Sequence, residues 1–112
     1  MTPAVGKPVR GSSTGRPIMV LFDLLGRRSA LRILWELRDG ALTFRALEAA
    51  AATNPALLNN RLKELREARI VEAGAEGYAL TAEGRGLLEA LMPLTKWAAK
   101  WGRTAGRADA SR

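Results

Sequence analysis

Apolar residues recur at helical spacing through most of this chain. Residues 18–25 are apolar on nearly every side, interrupted by Asp23 and followed by Gly26. Residues 28–38 then carry apolar side chains at i, i+3, i+4 and i+7, counted from Ala30. We therefore predict two helices, the first so apolar that other parts of the protein must cover it on several sides.

Two further helices are marked by residues that favour helix starts. Thr43 can cap the third helix, after a short extended stretch at residues 41–43. Asn54 then suits an N-cap and Pro55 suits the first helical position, where the N–H that proline lacks would have no helical partner. We predict that this fourth helix runs from Pro55 to about Ala68.

The next segment has the pattern of a β-hairpin. Residues 70–73 and 78–80 are predicted strands, joined by a turn at residues 74–77. Thr81 begins a final helix, whose apolar residues alternate at spacings of four and three and so form a heptad-like seam. Pro93 lies within that helix and should bend or split it.

The order of these elements is helix, helix, short strand, helix, turn, helix, hairpin, helix. A helix pair followed at once by a tight hairpin is the plan of a winged helix-turn-helix. The predicted fold is therefore mainly α with a small β-hairpin, in one domain at residues 17–102, with extra N- and C-terminal helices that form a dimer interface. Residues 1–16 and 103–112 are predicted to be a disordered basic leader and a disordered tail, since they contain few large apolar side chains.

Composition narrows the classes of function. The net charge of +7 favours a polyanionic partner, although the end segments carry much of it and the predicted domain is only mildly basic. The chain has no cysteine and no histidine, which excludes disulfides, thiolate chemistry, the usual zinc sites and a Ser-His-Asp arrangement. We expect no enzymatic activity, cofactor, metal or transmembrane helix, and a cytoplasmic location.

The fourth helix is the predicted DNA reader, because the second helix of such a pair enters the major groove. In a helical projection Leu58, Leu62 and Leu65 lie together as a leucine stripe that faces inward. The opposite face carries Ala56, Asn60 and Lys63, flanked by Asn59 and Arg66. Asparagine can pair with adenine, and lysine or arginine can reach guanine or phosphate. The alternative is an ordinary solvated face of an amphipathic helix.

Phosphate contacts are expected at the N-termini of both helices of the pair. Arg61 projects toward the edge of the leucine stripe, where it can either reach a phosphate or buttress a neighbouring helix. Arg27 and Arg28 could also reach phosphates, although a solvated loop is the simpler interpretation. Glu76 at the hairpin tip would repel DNA, so the wing should contribute little specificity. The complete predicted DNA-binding set is Thr43, Arg45, Asn54, Pro55, Ala56, Asn59, Asn60, Arg61, Lys63 and Arg66.

Apolar residues at both ends of the domain need cover that a small domain does not supply. We predict that they form a homodimer interface, which would match a palindromic DNA site; the alternative is packing within the monomer. A pocket for an unidentified small-molecule effector could lie beside Trp35, Trp97 and Trp101, although tryptophans at helical spacing are more often core residues. The predicted interface consists of Ile18, Leu21, Phe22, Leu25, Leu87, Leu91, Leu94, Trp97 and Trp101.

Four segments in this order and spacing resemble the HxlR-type regulators of the MarR-like winged-helix group. The segments are Leu24-Leu25-Gly26, Ile33-Leu34-Trp35-Glu36-Leu37, Asn59-Asn60-Arg61-Leu62-Lys63-Glu64-Leu65 and Tyr78-Ala79-Leu80-Thr81-Ala82-Glu83-Gly84-Arg85. The resemblance implies a dimeric DNA-binding regulator whose first and last helices make the dimer contacts. The chain departs from the family in its shorter wing, its lack of cysteine for oxidant sensing, and Arg28-Ser29-Ala30 where Lys-Trp-Thr is usual.

These features predict a sequence-specific regulator of transcription that binds double-stranded DNA, with repression as the expected mode. It would act as a homodimer with the helix at residues 55–68 in the major groove, and without contact with membranes. The chief alternative is a winged helix used for protein–protein contact without specific DNA binding. RNA binding is less favoured, because the chain lacks a sheet of exposed aromatic residues on which bases could stack.

Overall fold

The computed structural model describes residues 16–110, with side chains described through residue 106. The elements follow in the order α1 (Pro17–Leu25), α2 (Ala30–Glu36), α3 (Phe44–Ala50), α4 (Pro55–Glu67), β1 (Val71–Gly74), β2 (Gly77–Leu80), α5 (Ala82–Leu91) and α6 (Pro93–Ala110). The predicted mainly helical fold with a small β-hairpin is confirmed. The predicted leader at residues 1–16 lies outside the described residues except for Arg16, which directly precedes α1.

Side-chain caps begin three of the helices where the sequence predicts them. The Thr43 hydroxyl accepts a hydrogen bond from the amide three residues further on at 3.2 Å, and the Asn54 amide oxygen accepts one at 2.9 Å. Thr81 makes the same contact at 3.0 Å. Each cap satisfies an amide that has no partner within its own helix. Local chemistry therefore determines where α3, α4 and α5 start.

One apolar core joins α2 to the helix pair and the hairpin. Every helix of this group contributes leucines from the stripe that the sequence predicts to face inward. The most deeply buried side chains are Ile33, Leu34 and Leu37 at α2, Leu47 of α3, Leu58 and Leu65 of α4, and Val71 of β1. Burying a side chain of this size stabilises the fold by about 1.5–3 kcal/mol, so this cluster is the main support of α4.

The hairpin is anchored on the short extended segment before α3. Gly74 pairs with Gly77 at the end of the antiparallel ladder. Leu42 forms an isolated bridge with Tyr78, through two backbone hydrogen bonds of 2.9 and 2.8 Å. Gly77 has φ +116°, and a Cβ atom there would lie 2.3 Å from the Leu42 carbonyl oxygen. Only glycine fits this approach, which holds the wing against the start of the helix pair.

The predicted final helix is divided, and it continues further than the sequence indicates. α5 ends at Leu91 and α6 begins at Pro93, so the proline splits the helix. α6 then continues to Ala110, where the sequence analysis predicts a disordered tail from Arg103. Alanine and arginine, both good helix formers, are frequent after Trp101, and no proline interrupts them.

Two features of other protein classes are missing from the part of the chain that the structure describes. None of its helices combines the length and the apolar character needed to cross a bilayer. Nor does that part contain a group of three acidic, histidine or cysteine side chains that could hold a metal ion.

Candidate nucleic-acid interface

α4 has a buried apolar stripe and an exposed face that is mostly polar. Its three stripe leucines are buried in the core, as the helical projection predicts. Two amides and two cations stand on the exposed face within about two helical turns, a combination suited to base edges and phosphates. The exposed residues of this face are Ala56, Asn59, Asn60, Lys63 and Arg66. We call these five residues the reading face.

The N-terminus of α4 directly precedes the reading face in the sequence, and the N-terminus of α3 lies earlier in the chain. Both present backbone amides. Thr43 and Asn54 are exposed, but their side-chain oxygens are already used to cap their own helices. Arg45 and Pro55, in the first turns, are exposed as well. A helix N-terminus carries a partial positive charge and attracts anions. Of these four residues, Arg45 has the side chain best suited to a phosphate.

Arg61 was expected either to reach a phosphate or to buttress a neighbouring helix, and its contacts in the structure are those of a buttress. Its Nε atom donates to the carbonyl oxygen of Arg28 at 2.9 Å, and its Nη1 atom donates to Glu64. Only 16% of the Arg61 side chain is exposed. The residue lies at the edge of the leucine stripe, so its guanidinium reaches the loop before α2 and is held inside the protein.

The two arginines of the α1–α2 loop have different environments. Arg27 pairs with Asp23 at 3.1 Å and also with Glu64, and it is half-buried. Arg28 is exposed, although its carbonyl oxygen is bound by Arg61. Sequence reasoning missed the pairing of Arg27, because Glu64 is 37 residues away and no local pattern links the two.

A polar cleft of about 440 Å³ lies between α4 and β1. Lys63 and Arg66 line it from α4, and Glu72 lines it from β1. Glu76 is exposed in the turn that follows β1. The wing therefore presents carboxylates toward solvent where the reading face presents cations. The sequence analysis noted the acidic tip but did not predict this cleft.

The turn between α3 and α4 includes a residue in the left-handed conformation that glycine usually adopts, although the turn contains no glycine. Ala52 has φ +52°, a left-handed conformation that costs an alanine about 1–2 kcal/mol. The neighbouring Thr53 hydroxyl is buried, and it has no hydrogen-bond partner among the described residues. A depression of about 610 Å³ opens beside this turn. The strained turn fixes how α4 follows α3.

An apolar groove of about 690 Å³ opens among α1, α2, α5 and the start of α6. Leucines make up half of its lining residues, and Phe22, Trp35 and Met92 add to its apolar surface. Phe22 and Leu94 at its edge are 58% and 57% exposed. Leu25 also borders the groove but is buried in the core, which corrects its assignment to the dimer surface. Leu25 is the last residue of α1 and belongs to the same buried cluster as Ile33 and Leu34 of α2, so it is covered within the protomer.

The other predicted interface residues form two groups. Leu21, Leu87 and Leu91 are half-buried, and the first two pack against the core. The remaining residues are exposed, and we call them the uncovered set: Ile18, Phe22, Leu94, Trp97 and Trp101.

Trp97 and Trp101 do not form a pocket with Trp35. Their rings stack on each other along α6, with centroids 5.8 Å apart and planes inclined by 12°. Trp35 lines the apolar groove and is covered by the Arg38 guanidinium, 4.4 Å from the ring centre. The predicted effector pocket beside all three tryptophans is therefore wrong in its position. The groove reaches only as far as the first turn of α6, so the other two rings lie outside it.

Sequence comparison identifies relatives of this arrangement. The model of the HxlR-like helix-turn-helix family matches residues 24–105. The chain is 28% identical over 88 residues to the HTH-type transcriptional regulator MJ0925 of Methanocaldococcus jannaschii, a match that covers 74% of this chain and 83% of the relative. It is 31% identical over 87 residues to the HTH-type transcriptional regulator YvaP of Bacillus subtilis, covering 70% and 81% of the two chains.

Solved structures share the fold. Quinone-bound YodB from Bacillus subtilis matches with a TM-score of 0.69 and 31% identity, over 74% of this chain and 96% of that chain. Reduced HlyU from Vibrio cholerae matches with a TM-score of 0.57 and 25% identity, over 66% and 83%. The resemblance predicted from the quoted segments and the winged-helix fold are both confirmed. The chain belongs to the HxlR-like helix-turn-helix family of DNA-binding transcriptional regulators.

Proposed function

We propose that the protein is a homodimeric repressor that binds a specific double-stranded DNA site, with α4 in the major groove. The observation that carries this proposal is the division of α4: Leu58, Leu62 and Leu65 are buried, while the whole reading face is exposed. A helix that serves only as a core element has no need of paired asparagines, which are mediocre helix formers. The groove of B-DNA is wide enough to admit such a helix.

Each residue of the interface then has a distinct role. Asn59 and Asn60 read base edges, with adenine as the preferred partner. Lys63 and Arg66 contact guanine or phosphate, while Arg45 and the amides at the starts of α3 and α4 bind phosphates. Arg61 holds α4 to the α1–α2 loop through the Arg28 carbonyl oxygen. Phosphate contacts set the orientation of the protein, and the amides provide discrimination between sequences.

The uncovered set supports the homodimer. Its members lie on α1 and α6: Phe22 and Leu94 line the groove, and Trp97 and Trp101 form a stacked pair further along α6. Exposed apolar patches of this kind mark interaction sites. A second copy related by a two-fold axis would cover both surfaces at once and present two reading faces to a palindromic site.

The apolar groove is also the best candidate for an effector site. Its volume of about 690 Å³ lies in the range of small-molecule pockets. The structural neighbour YodB was crystallised with a quinone. Because this chain has no cysteine, apolar contacts rather than thiolate chemistry would hold a ligand here. Quenching of Trp35 fluorescence by a member of a panel of aromatic metabolites, lost in Trp35→Phe, would support this site.

Selection of bound duplexes from a random pool tests the proposed function. We expect enrichment of one palindromic family, bound about 1,000-fold or more tightly than random duplex at physiological salt. The double variant Asn59→Ala, Asn60→Ala should lose at least about tenfold of the specific affinity, because each bidentate contact contributes about 1–3 kcal/mol.

Glu89→Ala, an exposed change on α5, serves as the control and should bind like the wild type. A chain that enriches no duplex, or whose binding does not weaken as salt increases, would instead be a protein-contact module.

A further inference from the structure

We propose that Glu64 is a positioning residue for DNA recognition. Its bridge to Arg27 ties α4 to α1, and thereby sets the orientation in which the reading face meets the groove. This inference rests on the proposed function. It concerns a residue that does not belong to the reading face and that the sequence analysis did not select.

Glu64 connects α4 to a segment that is distant in sequence, the end of α1 and the loop that follows it. One carboxylate oxygen accepts from Arg27 Nη1, and the other accepts from Arg61 Nη1. Arg27 also donates from Nη2 to Asp23 of α1 at 3.1 Å. Arg61 donates from Nε to the Arg28 carbonyl oxygen at 2.9 Å. α4 is thus tied to Arg27, and through it to α1, by the Glu64 carboxylate, and Arg61, which the same carboxylate holds, ties α4 directly to the α1–α2 loop.

The charged groups of the cluster are partly shielded from water, which favours a defined arrangement of their hydrogen bonds. The side chains of Glu64 and Arg61 are each 16% exposed, so water only partly screens their charges. Both carboxylate oxygens are occupied, and each arginine has a second acceptor outside Glu64. Removal of the Glu64 charge would leave two half-buried guanidinium groups without their shared partner, which favours reorientation of both side chains.

The backbone hydrogen bonds of the loop that the cluster holds are local: Gly26 N–H donates to Phe22, Arg27 N–H donates to Leu24, and Ala30 N–H donates to Arg27. None of these three bonds reaches α4. Ser29 precedes α2 with φ +72° and makes no side-chain cap, so the start of α2 lacks the local signal that α3 and α4 have. The ties from Arg27 and from the Arg28 carbonyl oxygen are therefore what anchor this loop to α4. α1 also carries Ile18 and Phe22 of the uncovered set. The contacts of Glu64 and Arg27 therefore connect the helix that bears the reading face to a helix of the proposed dimer surface.

The consequence for recognition is geometric. Two reading faces must match half-sites about 34–36 Å apart, one helical turn of DNA. A change in the angle between α1 and α4 alters that separation in both protomers together. Phosphate contacts tolerate such a change better than base contacts, because they do not depend on register along the sequence. Loss of the bridge should therefore reduce specific binding selectively.

Glu64→Gln tests the inference, because glutamine keeps the shape and removes the charge. Binding is measured to the duplex selected by the wild type and to a random duplex. We expect the ratio of specific to non-specific affinity to fall at least about tenfold, with non-specific affinity unchanged or higher. Glu67→Gln changes the charge of α4 equally at an exposed position and should leave the ratio within about twofold.

Changes at Arg27 provide a second test that does not alter α4. Arg27→Gln should lower the same ratio, and Arg27→Lys, which keeps the charge but cannot bridge two carboxylates in the same way, should restore it in part. Circular dichroism establishes that each variant is folded. An unchanged ratio in both Glu64→Gln and Arg27→Gln, with specific binding by the wild type intact, would overturn the inference alone. Absence of a preferred duplex for the wild type would instead overturn the proposed function and this inference with it.

Discussion

α4 and α6 are both amphipathic helices, but only α4 completes its burial within the protomer. Leu58 and Leu65 of α4 are 0% exposed, whereas Trp97 of α6 is 61% exposed. Every described residue of α6 is exposed, on its apolar side as well as on its basic side. The same type of sequence pattern therefore has two structural outcomes in one chain.

The difference indicates what each helix offers to a partner. A helix whose apolar stripe is already covered presents only its polar face, which suits a hydrated and charged partner such as DNA. A helix whose apolar stripe is uncovered gains most from an apolar partner, and a second copy of the chain provides one. The two surfaces can thus act together without competing for the same residues.

Truncation of one leucine on each helix gives the largest expected contrast. Leu65→Ala should lower the free energy of unfolding by about 3 kcal/mol, because it opens a cavity in the core. Leu94→Ala should change it by less than about 0.5 kcal/mol at concentrations where the chain is monomeric. Urea unfolding followed by circular dichroism measures both. Equal losses in the two variants would show that α6 packs within its own protomer.

A charge on the apolar side of α6 should weaken the dimer. Trp101→Asp is expected to raise the dimer dissociation constant by about 10- to 100-fold, since a buried aromatic anchor is replaced by a carboxylate that must lose water. Ala99→Asp introduces the same charge on another side of the same helix and is the matched control. Analytical ultracentrifugation over a concentration series measures both constants. Identical behaviour of the two variants would contradict the proposed dimer surface.

Removal of one lysine from α4 and, separately, of one from α6 distinguishes the effect of a direct DNA contact from the effect of overall charge. Lys63→Ala should reduce the slope of log affinity against log salt concentration by about one, because one phosphate contact is lost. Lys96→Ala on α6 removes the same charge and should leave the slope unchanged. Fluorescence anisotropy with a labelled duplex at several salt concentrations provides the slopes. A change of slope in the α6 variant alone would shift the DNA-binding surface to that helix.

Reversal of the charge at the wing tip should give the smallest effect. Glu76→Lys is expected to strengthen binding about two- to fivefold on specific and random duplexes alike, since it removes a repulsion without adding a base contact. Glu89→Lys on α5 carries the same change of charge and should have less effect. Affinity measured by fluorescence anisotropy checks this expectation, and weaker binding by Glu76→Lys would contradict the proposed repulsion between the wing tip and DNA.

The elements that sequence reasoning predicted well are those with local causes. Thr43, Asn54 and Thr81 cap helices through contacts only three residues long, so their chemistry is complete within a short segment. The leucine stripe of α4 follows from helical periodicity, which does not depend on what covers it. The exposed reading face was predicted for the same reason.

The elements that it missed depend on which segments meet in space. Leu25 is a core residue rather than an interface residue because it belongs to the same buried cluster as residues of α2. Residues 103–110 of the predicted tail are helical, since α6 continues to Ala110. The three tryptophans do not share a pocket, because α6 carries Trp97 and Trp101 beyond the groove. In each case the individual residue has the expected polarity, and its surroundings differ from the expectation.

Consecutive residues were sufficient to establish the helix pair, its caps, its hairpin and the polar face of α4, because propensity, capping and periodicity act over one or two turns of chain. The association of Arg27 with Glu64 and the uncovered state of α6 emerged only once the helices were packed. Charge pairing and burial depend on distances between segments that the chain brings together across dozens of residues, and no short-range pattern encodes them.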